Sequence, residues 1–319
     1  MENAIILHNP VDGSSNVDEL DVLDQAVLFE TALTELGYQT YREVFNLNTN
    51  HLFTLIREKD VSLVVNLVET INDSGRLSFT APAILELAGV PFTGAGAEAI
   101  FLTTDKIVCK SILSINNIAT PSWSATTENI DPEKFYIVKP VAEDGSVGID
   151  DALLQKGDEI KLIPPGFFAE EYIHGREFNI SVLADKELFK VLPPAEMCFS
   201  DSYYETKPRI LGYKAKWDEN SPEYQNTTRS FHFEAVDSGL IHELQEIAGK
   251  CWKIFGLRGY ARVDIRVGAD RIPKVIEINA NPCIAPDSGF VAACNMAGLT
   301  HTEIIKKITD DARRYFSKF

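Results

Sequence analysis

The stretch at residues 262–282, RVDIRVGADRIPKVIEINANP, constrains the fold more than any other part of the sequence. Apolar and polar residues alternate on both sides of the turn-forming segment 268–271, which predicts an antiparallel β-hairpin. The predicted register pairs Arg262 with Asn279, Val263 with Ile278, Asp264 with Glu277, Ile265 with Ile276 and Arg266 with Val275. One face of the hairpin is therefore mostly apolar and the other mostly polar.

This register places two carboxylates, Asp264 and Glu277, directly opposite each other. Like charges at facing positions destabilise a ladder by about 0.2–1 kcal/mol. A bound divalent cation would reverse that effect, and carboxylate oxygens are ligands that Mg²⁺ and Ca²⁺ prefer. The alternatives are a solvated hairpin face or a register slipped by one residue.

The composition limits the classes of protein to consider. A chain of 319 residues is long enough for two or three domains, and 45% hydrophobic with 24% charged residues is typical of a soluble globular protein. The net charge of −17 argues against broad nucleic-acid binding, although lysines clustered around a bound metal can still hold an anionic small molecule. The sequence has neither a membrane-length apolar run nor a secretory signal pattern, so no membrane association is expected.

The five cysteines are scattered and form no CxxC pair. A disulfide framework or structural zinc site is therefore not expected, and the six histidines show no metal-ligand spacing. A reducing cytoplasm is the predicted location.

Strands and helices alternate over residues 1–98. The pattern predicts strands at 4–8 and 61–67, an extended segment at 90–94, and helices at 22–36 and 80–89. Such alternation is typical of a parallel sheet with crossover helices.

The rest of the chain predicts antiparallel strands with fewer helices. The predicted elements are a helix at 103–117, strands at 134–140 and 167–173, a hairpin turning at Asp185-Lys186, a helix at 234–255 and a closing helix at 300–319. Residues 200–230 are polar and aromatic without a regular pattern, which is typical of a functional lid or a disordered insert.

Two segments suggest contacts to a nucleotide. Lys139 ends a buried strand directly before a glycine-containing loop that includes Ser146, an arrangement that lets backbone N–H groups and an ammonium approach a phosphate. In AEEYIHGRE, Glu170 with Ile173 could serve a purine base and Glu177 a ribose. The alternatives are an ordinary hairpin tip whose lysine reaches solvent, and a hydrated acidic turn.

Seven segments in order resemble the ATP-grasp superfamily, specifically its D-alanine–D-alanine ligase branch. They are GVPFTG, TTDKIVCKSIL, IVKPVAEDGSVGI, AEEYIHGREF, YKAKW, GYARVDIRV and VIEINANP. The resemblance implies an α/β fold, α+β in the C-terminal half, with three domains. These are a Rossmann-like parallel sheet (1–98), a central ATP-grasp subdomain with the glycine loop (99–174) and a C-terminal ATP-grasp subdomain with the metal site (175–319). ATP is expected between the last two.

The resemblance also implies roles for individual residues. ATP is expected to contact Lys106, Lys139, Ser146, Glu170, Glu171, Tyr172, Ile173, Glu177 and Lys216. Mg²⁺, with Mn²⁺ as a substitute, is expected at Asp264, Glu277 and Asn279. Arg262, Ser146 and Lys216 are expected to act in catalysis, and the substrates to contact Glu69, Trp217, Arg262, Cys283 and Ser288.

The implied activity is that of an ADP-forming ligase that joins a carboxylate to an amine through an acylphosphate. Carboxylate and γ-phosphate are both anions, so their reaction needs cations around it. The acylphosphate is prone to hydrolysis, so the glycine loop and residues 200–230 are expected to exclude water. The resemblance also implies a homodimer formed through the N-terminal region, acting on small-molecule substrates.

Several positions depart from the family pattern. The family's HGxxGEDG segment is replaced by NLVETINDSGR, which keeps at best Glu69; Gly145 replaces a serine, Trp217 a tyrosine and Cys283 a glycine. The phosphate and metal residues are retained while the substrate pocket differs. We therefore expect a ligase for an amino acid or an amino-acid-like carboxylate other than D-alanine. The Cys283 thiol is interpreted as a packing group rather than a nucleophile.

Three other functions are compatible with parts of this pattern. One is a non-catalytic ATP-binding module, and another is a genuine D-alanine–D-alanine ligase with a divergent substrate loop. A dinucleotide-dependent dehydrogenase is suggested only by GAGAEAI at 94–100, which comes too late and lacks the full βαβ context of the glycine fingerprint.

Overall fold

The structure is a computed structural model that describes residues 1–13, 15–143 and 154–317. These residues form one parallel sheet near the N-terminus and two antiparallel sheets, which confirms the predicted mixed α/β class. No helix within these ranges is long and apolar enough to cross a membrane.

The first sheet is parallel, with the order β2-β1-β3. Its strands are β1 (Glu2–His8), β2 (Tyr38–Val44) and β3 (Val61–Leu67), and the connecting helices are α1 (Val17–Glu35) and α2 (Thr49–Glu58). The predicted parallel sheet, the strands at 4–8 and 61–67 and the helix at 22–36 are confirmed. The sequence pattern missed β2 because this edge strand leaves most of its side chains partly or fully exposed, so it has no buried apolar run.

Three helices follow the first sheet: α3 (Thr80–Ala88), α4 (Ala97–Thr104) and α5 (Lys106–Ile115). The extended segment predicted at 90–94 makes only an isolated parallel bridge, between Phe92 and Val64. The helix predicted at 103–117 is divided in two. Asp105 leaves the helical conformation (ψ 101°), and its carboxylate accepts hydrogen bonds from the first turn of α5.

The central sheet is antiparallel, with the order β4-β7-β5-β6. Its strands are β4 (Trp123–Ser124), β5 (Phe135–Pro140), β6 (Leu154–Lys156) and β7 (Phe167–Glu171). β5 and β7 confirm the strands predicted at 134–140 and 167–173. The predicted glycine loop, with Gly145, Ser146 and Gly148, lies outside the described residues.

The third sheet has the order β11-β10-β8-β12-β13, with β9 also paired to β8. Its strands are β8 (Gly175–Asp185), β9 (Leu188–Val191), β10 (Ala195–Phe199), β11 (Thr227–Ser230), β12 (Tyr260–Gly268) and β13 (Pro273–Asn279). The predicted β8–β9 hairpin is confirmed. Its turn lies one residue later than predicted, at Lys186 and Glu187, because Asp185 still pairs with Leu188.

Residues 200–230 contain short regular elements, which corrects the expectation of an irregular segment. Besides β11 they form α6 (Asp201–Tyr204), α7 (Tyr213–Trp217) and α8 (Pro222–Gln225). Ser221 caps α8, whose first residue is proline. The Tyr213 hydroxyl donates to Asp18 Oδ1 at 2.7 Å, so α7 is held against the beginning of α1.

The last helices are α9 (Ser238–Ile254), α10 (Gly289–Met296) and α11 (His301–Phe316). α9 and α11 confirm the helices predicted at 234–255 and 300–319. Ile304 and Ile308 of α11 pack in the same core as Ala4 and Ile6 of β1, so the end of the described chain completes the core of the first sheet. The domain boundaries stay a prediction.

Gly259 packs against the backbone of Gly94 where α9 leads into β12. A Cβ added at Gly259 (φ +67°) would lie 2.9 Å from the Gly94 Cα and N atoms. We expect Gly259→Ala to lower the free energy of unfolding by about 2–4 kcal/mol, because it adds a clash to an unfavourable φ. Chemical denaturation measures this loss.

Gly298 provides the matched control. It has a similar backbone conformation (φ +81°), but a Cβ there would meet nothing within 4 Å. Gly298→Ala should cost only about 1 kcal/mol, the cost of the backbone conformation. Equal losses for the two variants would contradict the close approach of Gly259 to Gly94.

Candidate active site

The β12–β13 hairpin confirms the predicted opposition of Asp264 and Glu277. Arg262 lies opposite Asn279, again as predicted. The slipped-register alternative is therefore excluded, and two carboxylates do face each other across this ladder.

A β-bulge beside this pair makes the rest of the predicted register wrong. Ile265 pairs with Val275 instead of Ile276, and the predicted pairing of Arg266 with Val275 is lost for the same reason. Ile276 is the extra residue of β13, and it lines the same cavity as Glu277. A bulge lets consecutive residues share a face, so an apolar and an acidic side chain both reach the cavity.

A cleft of about 730 Å³, including its open mouth, lies between the central and the C-terminal sheets. It brings together the described residues that were predicted to contact ATP: Lys106, Lys139, Glu170, Glu171, Tyr172, Ile173, Glu177 and Lys216. Asp264 and Glu277 also line it. Ser146 lies outside the described residues, so its predicted roles stay predictions.

Glu170 is held between two ammonium groups. Its Oε1 is 2.6 Å from Lys139 Nζ, and its Oε2 contacts Nζ of Lys110, which also donates to the Thr120 hydroxyl at 2.8 Å. Burial alone would raise the pKa of Glu170, but Lys110 and Lys139 outweigh burial and lower it. Lys110 was missed in the sequence. Its position four residues after Lys106, on the same face of α5, is the signal that could have found it.

Lys106 and Lys216 approach Glu277 from α5 and α7. Lys106 Nζ lies 3.9 Å from Glu277 Oε2 and donates to the Glu143 carbonyl at 2.6 Å. Burial alone would raise the pKa of Glu277, but Lys106, Lys216 and Lys139 hold it well below its usual range. Burial lowers the pKa of Lys216, and Glu277 opposes that effect. Positive charge therefore surrounds the ionised Glu277 carboxylate at this end of the cavity.

Asp264 is buried and accepts hydrogen bonds from several directions. Arg262 forms a fork with it, Nε to Oδ1 at 2.7 Å and Nη2 to Oδ2 at 2.8 Å. The side-chain amides of Asn179 and Asn279 donate to the same carboxylate at 2.8 and 3.3 Å. Burial raises the pKa of Asp264, and Arg262 opposes this. Asn179 was missed because its position opposite Asp264 follows from the pairing of β8 with β12, not from local sequence.

The donor set at the hairpin fits Mg²⁺. Asp264, Glu277 and Asn279 offer two carboxylates and an amide oxygen, and Mg²⁺ is commonly held by one or two carboxylates together with phosphate and water oxygens. A cation between the carboxylates would also remove the repulsion between Asp264 and Glu277. Within the described ranges, no group of three or more His, Cys, Asp and Glu side chains is arranged to hold a metal ion. The set thus suits a metal that shares phosphate ligands rather than a closed protein cage.

The residues predicted to contact substrate lie outside the main cavity. They are Glu69, Trp217, Arg262, Cys283 and Ser288. Trp217 is the last residue of α7 and is half-buried, while its neighbour Lys216 reaches the cavity. The substrate roles of these five residues stay predictions.

A polar cluster lies beside Arg262, between α1 and the loop after β13. Cys283 Sγ donates to Asp21 Oδ2 at 2.9 Å, and the Gln25 amide donates to Asp21 Oδ2 at 3.1 Å and to Glu69 Oε1 at 3.2 Å. Burial raises the pKa of the Cys283 thiol, and the Asp21 carboxylate raises it further. The thiol is therefore neutral at physiological pH, which fits its interpretation as a packing group.

A cationic region lies at the beginning of α10. Ser288 caps this helix by accepting a hydrogen bond from the Val291 N–H at 3.2 Å. Arg229 Nη2 lies 3.2 Å from the position that a Cβ on Gly289 would take, so its guanidinium rests over the helix end. Burial lowers the pKa of Arg229, and the positive charge of Arg262 lowers it further. Arg229 was missed because it lies on β11, far from the hairpin in sequence.

The environment of Glu170 gives a stability prediction. Glu170→Gln removes the counter-charge of two buried lysines, and breaking such a buried pair costs about 3–5 kcal/mol. The lowered pKa of Glu170 means that its contribution is complete at neutral pH and is lost as the pH falls through the pKa of the folded protein. The difference in the free energy of unfolding between Glu170→Gln and wild type should therefore become smaller at acidic pH. Denaturant titrations at neutral and acidic pH measure it.

The next residue along the chain is the control. Glu171 pairs with the partly exposed Lys134 at 3.0 Å, so Glu171→Gln should cost about 1 kcal/mol or less. If Glu170→Gln were no more destabilising than Glu171→Gln, the buried triad would not be a stabilising unit.

The contact between Cys283 and Asp21 gives a second prediction. In the native protein at pH 7–8, iodoacetamide should alkylate Cys283 much more slowly than a free cysteine, because its raised pKa leaves little thiolate. Asp21→Asn should accelerate the reaction by removing the neighbouring negative charge. Peptide mass spectrometry after timed labelling measures both rates. Labelling of wild-type Cys283 at the rate of a free thiol would refute the assigned environment.

Comparisons with known proteins agree with this architecture. Residues 126–310, more than half of the chain, match the family model of the D-ala D-ala ligase C-terminus. The chain is 33% identical over 268 residues to the uncharacterized protein y4sG of Sinorhizobium fredii, covering 80% of this chain and 76% of that protein. It is 28% identical over 245 residues to the D-alanine–D-alanine ligase of Synechococcus sp. strain JA-3-3Ab, covering 72% and 70%.

Solved structures share the fold along the whole chain. The D-alanine–D-alanine ligase of Bacillus anthracis complexed with ATP is 19% identical, with a TM-score of 0.72 over 100% of this chain and 99% of that one. The D-alanyl-alanine synthetase A of Vibrio cholerae is 18% identical, with a TM-score of 0.75 over 98% and 99%. The family match covers most of both antiparallel sheets, and the expected resemblance is confirmed: this chain belongs to the D-alanine–D-alanine ligase family of the ATP-grasp superfamily.

Proposed function

We propose that this protein is a ligase that uses ATP and Mg²⁺ to join a small-molecule carboxylate to an amine, with ADP and phosphate as by-products. The observation that carries the proposal is the opposition of Asp264 and Glu277 beside three lysines, Lys106, Lys139 and Lys216. Facing carboxylates are unfavourable without nearby cations, and phosphoryl transfer to a carboxylate needs the same cations. Membership of an ATP-grasp family supports ATP as the phosphoryl donor.

Asp264, Glu277 and Asn279 would hold the Mg²⁺, for which Mn²⁺ is a substitute. When bound, the metal screens the charge of the triphosphate and orients its terminal phosphate. Asp264 stays oriented for this role through its fork with Arg262 and its bond from Asn179.

The lysines place three ammonium groups around the same end of the cavity. Lys106 and Lys139 come from α5 and β5 and would bind phosphate oxygens, while Lys216 approaches from α7. The low pKa of Glu277 follows from the same lysines, which supports a site built for more negative charge than the protein itself supplies. Ser146 keeps its proposed role in the loop that closes over the triphosphate.

The apolar end of the cavity suits the adenine base. Ile173, Leu211 and Ile276 line it, and the backbone that follows β7 offers hydrogen-bonding groups for the edge of the base. Glu177, on β8, is the proposed acceptor for the ribose hydroxyl groups. Both carboxylate oxygens of Glu170 are held by lysines, so we assign Glu170 to orienting Lys139 as well as to the base end.

Arg262 is the proposed group for the tetrahedral intermediate formed when the amine attacks the acylphosphate. Its fork to Asp264 uses Nε and Nη2, which leaves the N–H groups of Nη1 for a developing oxyanion. Water has to be excluded while the acylphosphate waits for the amine. The Tyr213–Asp18 contact holds α7 across this region, so the closing segment is anchored to α1.

The proposed substrates are an amino acid or an amino-acid-like carboxylate and an amine, in a reaction other than the housekeeping joining of two D-alanines. Asp21 and Glu69 present carboxylates in the polar cluster around Cys283, where an ammonium group fits. Arg229 presents positive charge over the Ser288 end of α10, where a carboxylate fits. Cys283 occupies the loop between these regions.

Three finer assignments are also proposals. The homodimer through the N-terminal region and the boundaries at 98/99 and 174/175 rest on family resemblance. A cytoplasmic location is supported by the five cysteines, all of which are free thiols.

A screen for ADP release tests the proposed function directly. Pairs drawn from D- and L-amino acids and simple amines are supplied with ATP and Mg²⁺, and ADP is measured by a coupled assay. We expect ADP only when a carboxylate and an amine are both present. D-alanine as the best substrate would favour a genuine D-alanine–D-alanine ligase. ATP binding without turnover across a broad panel would favour a non-catalytic module.

The metal residues give the matching mutational prediction. With the best substrate pair, Glu277→Gln and Asp264→Asn should each lower ADP formation by at least about a hundredfold, because each removes a charge that balances the metal and phosphates. Asp270→Asn, in the exposed turn of the same hairpin, should leave the rate unchanged. Circular dichroism confirms that the variants are folded. Full activity in Glu277→Gln would remove the basis of the proposal.

A further inference from the structure

Arg266 is a buried arginine that lines the cavity. It lies within the GYARVDIRV segment, but neither the sequence analysis nor the proposed chemistry gives it a role. It lies on β12, two residues beyond Asp264, and faces the same side of the sheet. Its side chain is nearly inaccessible, and it stands directly opposite Glu177 on β8. One strand thus supplies a proposed metal ligand and, on the same face, a cation for the nucleoside end of the cavity.

Arg266 binds only one of the two carboxylate oxygens of Glu177. Arg266 Nε and Nη2 both donate to Glu177 Oε2, at 3.0 and 2.6 Å. No described residue donates a hydrogen bond to Oε1 of the same carboxylate. A forked guanidinium is planar and rigid, so it fixes the orientation of the carboxylate as well as its charge. One oxygen is therefore anchored, and the other is left for a ligand in the cavity that Glu177 lines.

The same guanidinium ties together two further segments of the cavity wall. Arg266 Nη1 donates to the Ile173 carbonyl at 2.9 Å, and Nη2 also contacts the carbonyl of Arg209. The Arg209 N–H in turn donates to the Tyr172 hydroxyl at 3.0 Å, and the Tyr172 ring lies 5.2 Å from the Arg266 guanidinium. One side chain, Arg266, therefore links the backbone after β7 to the segment at 209–211.

An acceptor for two ribose hydroxyl groups needs an ionised carboxylate in a defined orientation, because hydrogen bonds to a charged acceptor are the stronger ones. A carboxylate without a partner would instead be free to rotate. The fork from Arg266 fixes its orientation. Ile210 and Leu211, in the segment attached through Arg209, line the cavity beside it.

We propose that Arg266 is a positioning residue for the nucleotide, aiming the open oxygen of Glu177 at the ribose hydroxyl groups and fixing the 209–211 segment beside the base. This inference rests on the proposed function, since it assumes that ATP occupies the cavity. It predicts a specific property, selectivity for ribose over deoxyribose, that depends on a residue which does not touch the sugar.

Calorimetric titration with ATP, 2′-deoxy-ATP and 3′-deoxy-ATP in the presence of Mg²⁺ tests the proposal on the intact protein. Wild type should prefer ATP over at least one deoxy analogue by about tenfold or more, the value of a hydrogen bond to a charged group. Arg266→Met should reduce this preference to within about twofold and weaken ATP binding. Glu177→Leu, which removes the acceptor itself, should give the same loss of preference.

Arg176→Met is the matched control. Arg176 is the neighbour of Glu177 on β8 and makes an equally extensive fork, to Glu196 and Asp237, but none of these three side chains lines the cavity. It should keep the ribose preference of wild type. If the Arg266→Met protein does not fold, Arg266→Lys decides, because it keeps the charge but loses the fork and should show a reduced preference.

The outcomes separate this inference from the function on which it rests. An unchanged ribose preference in Arg266→Met or Arg266→Lys, or a wild type that does not distinguish ATP from either deoxy analogue, overturns the role of Arg266 while leaving ATP as a ligand. A wild type that binds no ATP refutes the proposed function first. A preference lost equally in Arg176→Met assigns the effect to general loosening of the sheet and overturns the proposal.

Discussion

The repulsion between Asp264 and Glu277 is the constraint on which the rest of the site depends. Two carboxylates at facing positions of a ladder, one buried and one half-buried, are stable only when positive charge surrounds them. That charge reaches them from separate parts of the chain: Arg262 on the same strand, Lys106 from α5 and Lys216 from α7. The fold can therefore be understood as a way of bringing these distant cations to one hairpin, with room left for an anionic ligand.

Most of the fold follows from local pattern. The buried runs of β1 and β3 and the alternation in β12 and β13 identify their elements because each strand has at least one largely buried face. The pattern fails where burial does not repeat. β2 is an exposed edge strand, and the extra residue Ile276 in β13 leaves no mark in an alternating sequence. The break between α4 and α5 depends on the single capping residue Asp105.

The residues of the site also fall into two groups, those that the sequence identified and those that it did not. The described residues that were predicted to contact ATP converge on one cavity, because the sheets bring together the strands and helices that contain them. Lys110, Arg229 and Arg266 were not found, because each acquires its role from a partner far away in sequence. Lys110 has a local signal, its spacing of four residues from Lys106, but for Arg229 and Arg266 the signal lies in tertiary pairing and leaves no local trace in the sequence. The glycine loop falls outside the described residues, so its contribution stays a prediction.

The packing of α11 has a consequence for folding during synthesis. The core beneath β1 and β3 combines side chains from α1 with Ile304, Ile305 and Ile308 of α11, which is translated long after α5. A nascent chain that has emerged only as far as α5 thus carries a sheet with one face incompletely covered. Synthesis proceeds from the N-terminus, so this face of the sheet stays incompletely covered until α11 has been synthesised.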